Sequence, residues 1–156
     1  MPVAKASESN STPAQVLLVD DNKHGIAARR SILEEMGYVI TVSMCPVQAV
    51  ELFDTKPFDL VITDYKMPGM DGVTLISKLR NSRPEVPVIL ISGYVDALGF
   101  TEESTGADAV IQKSANEVPQ LMRAVARVLK RKLPKKPTTK AAPRVRLLKT
   151  RAKSVS

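Results

Sequence analysis

Asp20, Asp21, Asp64, Ser92 and Lys113 are the residues of this 156-residue chain whose types could do joint chemistry if folding gathered them. Each follows a short apolar run. Asp20-Asp21 come after Gln15-Val16-Leu17-Leu18-Val19, and Asp64 after the run over 60–63. Ser92 closes the run over 88–92 and precedes Gly93, and Lys113 lies just past 109–111. Taken singly, the acids read as a solvated loop pair and a turn cap, and the lysine as an exposed loop residue. Their shared placement after apolar runs argues for a common site. Carboxylates held together repel, and each charge raises the proton affinity of the others. A hard divalent cation relieves that repulsion. Mg²⁺ favours one or two carboxylates completed by water and phosphate oxygens. A lysine ammonium binds a phosphate oxygen as a point charge. A glycine beside Ser92 lets a backbone N–H approach a ligand closely. The implied chemistry is cation-assisted handling of phosphate.

The elements must place those run ends together. The runs over 15–19, 39–43, 60–63, 88–92 and 109–111 read as strands bounded by turn signals. The first and fourth are continuously apolar, as in strands covered on both faces. Helical patterns lie between them. One near 26–36 puts Ile32, Leu33 and Met36 on one side and stops at Gly37. One near 47–54 turns Val47, Val50 and Leu52 or Phe53 inward. One runs from the cap Asp71 to Arg80 with Leu75, Ile76 and Leu79 inward. A weakly patterned one lies near 96–104. The last carries Leu121, Met122, Val125, Val128 and Leu129, with Asn116 as N-cap and Pro119 in the first turn. Five strands alternating with five helices imply an α/β fold: a five-stranded parallel sheet, doubly wound, with helices on both faces. Ligands of such sheets sit outside the carboxyl ends of the strands.

After Asp64 the chain reads Tyr65-Lys66-Met67-Pro68-Gly69-Met70-Asp71-Gly72. Together with Asp20-Asp21, Ser92-Gly93 and Lys113, this loop resembles the receiver domain of two-component response regulators, over roughly residues 14–129. The resemblance implies a flavodoxin-like receiver fold in which Asp64 takes a phosphoryl group from a histidine of a sensor histidine kinase or histidine phosphotransfer protein. It implies Mg²⁺ as cofactor, bound directly by Asp21 and Asp64 and by the backbone carbonyl of Lys66, with Asp20 acting through a water. Ser92, Gly93 and Lys113 then contact phosphoryl oxygens, and the change remodels a surface for a downstream protein partner. Such a chain is a phosphoacceptor signalling domain rather than an enzyme, contributing to its own phosphorylation and dephosphorylation. The side chain of Lys66 and Tyr94 are candidate modulators of the phosphoryl group. Two positions depart from the family pattern. Ser114 follows Lys113 where a proline in a cis peptide is common, so the loop is expected to be trans and displaced, or cis under strain. Val110 stands where many receivers carry Tyr or Phe, so the usual aromatic switch lacks its ring. His24 reads as a surface residue and Cys45 as a small, partly buried apolar one.

Charge is unevenly spread. Eleven of the 23 basic residues lie at or beyond residue 130 with no acid among them, leaving twelve bases against all sixteen acids before it. A mildly acidic body therefore carries a basic arm. Three prolines and single-sign charge argue against a packed core there. The expected organisation is a flexible segment over 1–13, a receiver over 14–130 and a basic disordered tail over 131–156. A single cysteine excludes an internal disulfide and suits a cytoplasmic setting. No apolar run approaches the roughly 20 residues of a membrane span, so no transmembrane segment is expected. The competing reading is a nucleic-acid-associated regulator whose arm, over 130–153, binds DNA or RNA non-specifically. A third is a receiver that signals without phosphate.

Overall fold

The computed structural model describes residues 12–132. Most of the expected lead-in and basic tail falls outside the described residues. Five strands form one parallel sheet: β1 (Gln15–Val19), β2 (Val39–Ser43), β3 (Leu60–Asp64), β4 (Val88–Ser92) and β5 (Ala109–Gln112), in the order β2-β1-β3-β4-β5. The helices are α1 (Lys23–Glu35), α2 (Pro46–Thr55), α3 (Gly72–Ser82), α4 (Val95–Leu98), α5 (Glu102–Thr105) and α6 (Glu117–Lys132).

Strand alternation explains the two cores. Successive side chains point to opposite faces. Val16, Leu18, Ile62, Ile89 and Ile91 therefore share one face, packed against Ile26 and Leu33 of α1 and Leu121, Val125 and Val128 of α6. Leu17, Val19, Val61 and Leu90 share the other, with Phe53 of α2 and Leu75, Ile76 and Leu79 of α3. The sheet reverses direction of growth at β1, which pairs with β2 on one side and β3 on the other. The resulting crevice opens at the carboxyl ends of these strands, which is where such sheets bind ligands.

Several helix expectations need correction. The segment near 96–104 is two short helices, α4 and α5, because Gly99 takes a left-handed conformation (φ 66°) and ends the first. In α2, Val47 is 57% exposed rather than inward. Phe53 faces inward as one of the two expected alternatives, Val50 and Leu52 pack half-buried beside it, and Ala49 joins them in the core. Met122 of α6 is exposed, and Cys45 is exposed at the N-cap of α2, where its thiol makes no capping bond. Helix α1 begins three residues earlier than its apolar pattern implied, because the Asn22 side chain accepts the Gly25 N–H at 2.9 Å and caps it. Asp71 caps α3 as expected, accepting the Thr74 N–H at 2.8 Å. No helix among the described residues is long and apolar enough to cross a membrane.

Candidate functional site

Strand register brings the acids together. Val19 pairs with Thr63, so the next residues along, Asp20 and Asp64, meet at the end of the β1–β3 ladder. Asp21 follows on the exposed side. One carboxylate oxygen from each of Asp20, Asp21 and Asp64 can be chosen so that all lie within 4.8 Å of one another. Asp20 and Asp64 are buried, at 1% and 5% exposure.

Asp64 is held at both oxygens. Its Oδ1 accepts the Tyr65 N–H at 2.8 Å, and its Oδ2 accepts the Lys113 ammonium at 3.0 Å. Burial pushes the Asp64 carboxyl above the usual carboxylate range. The Lys113 hydrogen bond and charge pull it back, while the Asp20 charge adds to the rise. The peptide bonds of the described residues are all trans, including the one after Lys113, and Lys113 reaches Asp64 nonetheless. The expected displacement of that loop does not separate the pair. Lys113 is anchored by its own N–H, which donates to the Ser92 carbonyl at 2.9 Å.

The loop after β3 is shaped by Gly72. A Cβ there would lie 2.4 Å from the Asp64 carbonyl oxygen and 2.9 Å from the Tyr65 Cα. Only glycine lets α3 start against the backbone of Asp64 and Tyr65, and the Gly72 N–H donates to the Tyr65 carbonyl at 2.7 Å. A cleft of about 680 Å³ opens over the acids, lined among others by Asp21, Asp64, Lys66, Gly93, Tyr94 and Lys113.

Ser92 lies just outside that lining. It is buried, and its Oγ accepts the Tyr94 N–H at 2.9 Å. Gly93 is exposed, with open space where a Cβ would be. Lys66 lies at the mouth with its Nζ 3.4 Å from the Tyr94 hydroxyl and 5.6 Å from that ring's centre. Val110 is half-buried in the core on the α2–α3 face. Aromatic rings near the site come from loops: Tyr65, after β3, meets Phe100 edge-on at 4.8 Å and Tyr94 at 6.2 Å. His24 is exposed at the start of α1, as expected.

Sequence reasoning missed Arg29 and Glu117. Arg29 of α1 is buried, and its Nη1 donates to Asp20 Oδ2 at 2.6 Å while its Nε donates to Glu117 Oε2 at 2.7 Å. Burial alone would loosen the proton on this guanidinium, but Glu117 and Asp20 outweigh it and bind the proton more tightly. A signal was present. Ile26, Arg29 and Leu33 fall at i, i+3 and i+7, so a charge stands on the inward face of the helix.

Residues 16–126 match the response regulator receiver domain family. The chain belongs to that family. Among its relatives, the hydrogenase transcriptional regulatory protein HoxA of Cupriavidus necator is 38% identical over 84 residues, covering 54% of this chain and 17% of HoxA. The sensor kinase CckA of Brucella abortus is 33% identical over 96 residues, covering 60% of this chain and 10% of CckA. The chain thus spans a small part of these curated relatives. The CheY-like receiver domain protein of Methanospirillum hungatei superposes with a TM-score of 0.70 at 26% identity, covering 77% of this chain and 96% of that one. The response regulator TrrA of Thermotoga maritima, solved in complex with Mg²⁺-BeF, gives 0.67 at 27% identity, covering 74% and 98%. This receiver domain has the fold that its sequence implied, and Asp20, Asp21 and Asp64 lie together at its sheet edge.

Proposed function

We propose that this receiver accepts a phosphoryl group on Asp64 from the phosphohistidine of a sensor histidine kinase or histidine phosphotransfer protein. The carrying observation is the buried Asp64 carboxylate, within a three-acid cluster and bonded to Lys113 at 3.0 Å. The donor set is all hard oxygen, which suits Mg²⁺ rather than a softer metal. Asp21, Asp64 and the Lys66 carbonyl would hold the ion, with Asp20 acting through water. Bound there, Mg²⁺ cancels charge on the phosphoryl oxygens.

The residues divide the remaining work. An Asp64 oxygen forms the new bond to phosphorus as the phosphorus–nitrogen bond of the donor breaks, its electron pair leaving on the imidazole. The Tyr65 N–H fixes the orientation of the Asp64 carboxylate. Lys113 transfers from the carboxylate to a phosphoryl oxygen. Ser92 turns its hydroxyl from the Tyr94 N–H toward the same group, and Gly93, which lines the cleft, offers its N–H. Positioning and charge cancellation dominate such transfers. Lys66 and Tyr94 flank the entry and modulate how long the acyl phosphate survives. Rearranged loops after β4 and β5 then alter the surface offered to a downstream protein. The receiver spans 14–130, follows a short lead-in over 1–13, carries its basic tail over 131–156 and works in the cytoplasm.

The test is labelling of the full chain by a small phosphodonor such as phosphoramidate, followed by intact mass. Wild type gains one phosphoryl group only with Mg²⁺, and Asp64→Ala gains none. Equal labelling of Asp64→Ala, or an unlabelled wild type, overturns the proposal.

One observation keeps the nucleic-acid reading in play. Arg123, Arg127 and Lys130 line an exposed stripe of α6 leading toward the basic tail. That reading expects retention of the full chain on duplex DNA at low salt, lost on removal of residues 130–156.

A further inference from the structure

Arg29 is the one buried basic residue among the described residues. It occupies an inward position of α1 between Ile26 and Leu33, where packing alone would call for an apolar side chain. It lies outside the cleft lining, yet it touches one acid of the cluster directly. Both oxygens of Asp20 are engaged: Oδ2 by Arg29 at 2.6 Å, and Oδ1 by the Asn22 N–H at 3.0 Å. The other edge of the guanidinium is engaged by Glu117, the first residue of α6. Space for this arrangement is made by Gly25. A Cβ there would stand 3.0 Å from Asp20 Oδ2 and 3.1 Å from Arg29 Nη1.

We infer that Arg29 is a positioning residue that sets how tightly the acid cluster holds a divalent cation, with Glu117 as its counterweight from the first turn of α6. The inference rests on the cation-binding reading above. Two positive side chains discharge the cluster: Lys113 on Asp64 and Arg29 on Asp20. A cation entering the site meets repulsion from both. Lys113 is 36% exposed and free to swing toward solvent or a phosphoryl oxygen. Arg29 is clamped by two acids and by packing, so its repulsion persists and is poorly screened. Glu117 acts in the opposite sense. Its negative charge, and its pull on the guanidinium, reduce what Arg29 imposes on Asp20. The same contacts link the cluster to α6 reciprocally: a partner that displaces Glu117 changes cation affinity, and cation binding changes the affinity for that partner by the same factor.

The experiment is a calorimetric titration of the full chain with Mg²⁺ and Mn²⁺ at neutral pH, with melting curves in the absence and presence of saturating Mg²⁺. Arg29→Met tightens binding by about three- to tenfold, and Glu117→Gln weakens it by about two- to threefold, on Coulomb estimates across a partly screened site. Arg29→Lys keeps the charge and stays near wild type. Saturating Mg²⁺ raises the melting temperature of Arg29→Met by more than that of wild type. Shifts of the same sign in Arg29→Met and Glu117→Gln, or no shift in either, overturn the inference and leave Arg29 as a brace of the fold. So does Arg29→Lys tightening as much as Arg29→Met. If Arg29→Met does not fold, Glu117→Gln and Arg29→Lys decide. A wild type that binds no divalent cation overturns the proposed function itself, whereas normal wild-type binding without the sign reversal sinks only this inference.

Discussion

Lys113 and Arg29 each bring a positive charge to an acid of the same cluster, but the surroundings of the two pairs differ. The Lys113 side chain is 36% exposed and holds Asp64 through one bond. Arg29 is 6% exposed and bonds two acids, one on each edge of its guanidinium. Their positions in the fold account for this. Lys113 follows the short β5 at the rim of the cleft, whereas Arg29 lies beneath it, between α1 and the start of α6. A lysine is a point charge on a flexible stem, and an arginine is a rigid fork. The difference teaches that one carboxylate has a partner able to leave it and the other is fixed in place.

Four substitutions break or sharpen this contrast, ranked by their effect on stability. Arg29→Met leaves Asp20 buried and unpaired, and costs about 3–5 kcal/mol in metal-free buffer by chemical denaturation. A loss no larger than that of Lys113→Ala would erase the distinction. Gly72→Ala forces a methyl group onto the Asp64 backbone and costs roughly 1–3 kcal/mol. It also lowers phosphoryl labelling, because the Asp64 carboxylate moves with its backbone. Lys113→Ala changes stability by less than about 1 kcal/mol, as expected of a part-exposed pair. Labelling falls on the order of a hundredfold, since the transferred group loses a charged contact. Asp64→Asn has the smallest effect and the opposite sign. Burial raises the Asp64 carboxyl, so the folded state holds its proton more tightly than the unfolded chain does. Metal-free stability therefore falls as pH rises from the ordinary carboxylate range through the raised value. Asp64→Asn removes that slope and melts above wild type at neutral pH. A lower melting temperature for Asp64→Asn would mean that the Lys113 pair outweighs desolvation.

Much of the site was legible because its signals are local. The acids stand at the ends of apolar runs, and a run buried on both faces reads as an inner parallel strand. Asp71-Gly72 announces a helix start, and the structure adds why glycine is needed: the helix begins against the Asp64 carbonyl. Ser92 was legible as a strand end, but not the direction of its hydroxyl, which depends on the path of the next two residues. Val47 and Met122 misled for the same reason. Helical spacing places a side chain on a face, but the elements that cover that face come from elsewhere in the chain.

The sequence by itself determined the order of strands, the sheet class and the acids that meet at its carboxyl edge. Those features follow from two periodicities, a few capping residues and the handedness of parallel connections. Tertiary structure alone decided which charges pair. Arg29 and Glu117 are 88 positions apart, and nothing in the stretch around either residue names the other. An ion pair is a matter of distance through space and of shared burial, and both are set only once α1 and α6 have packed on the same face of the sheet.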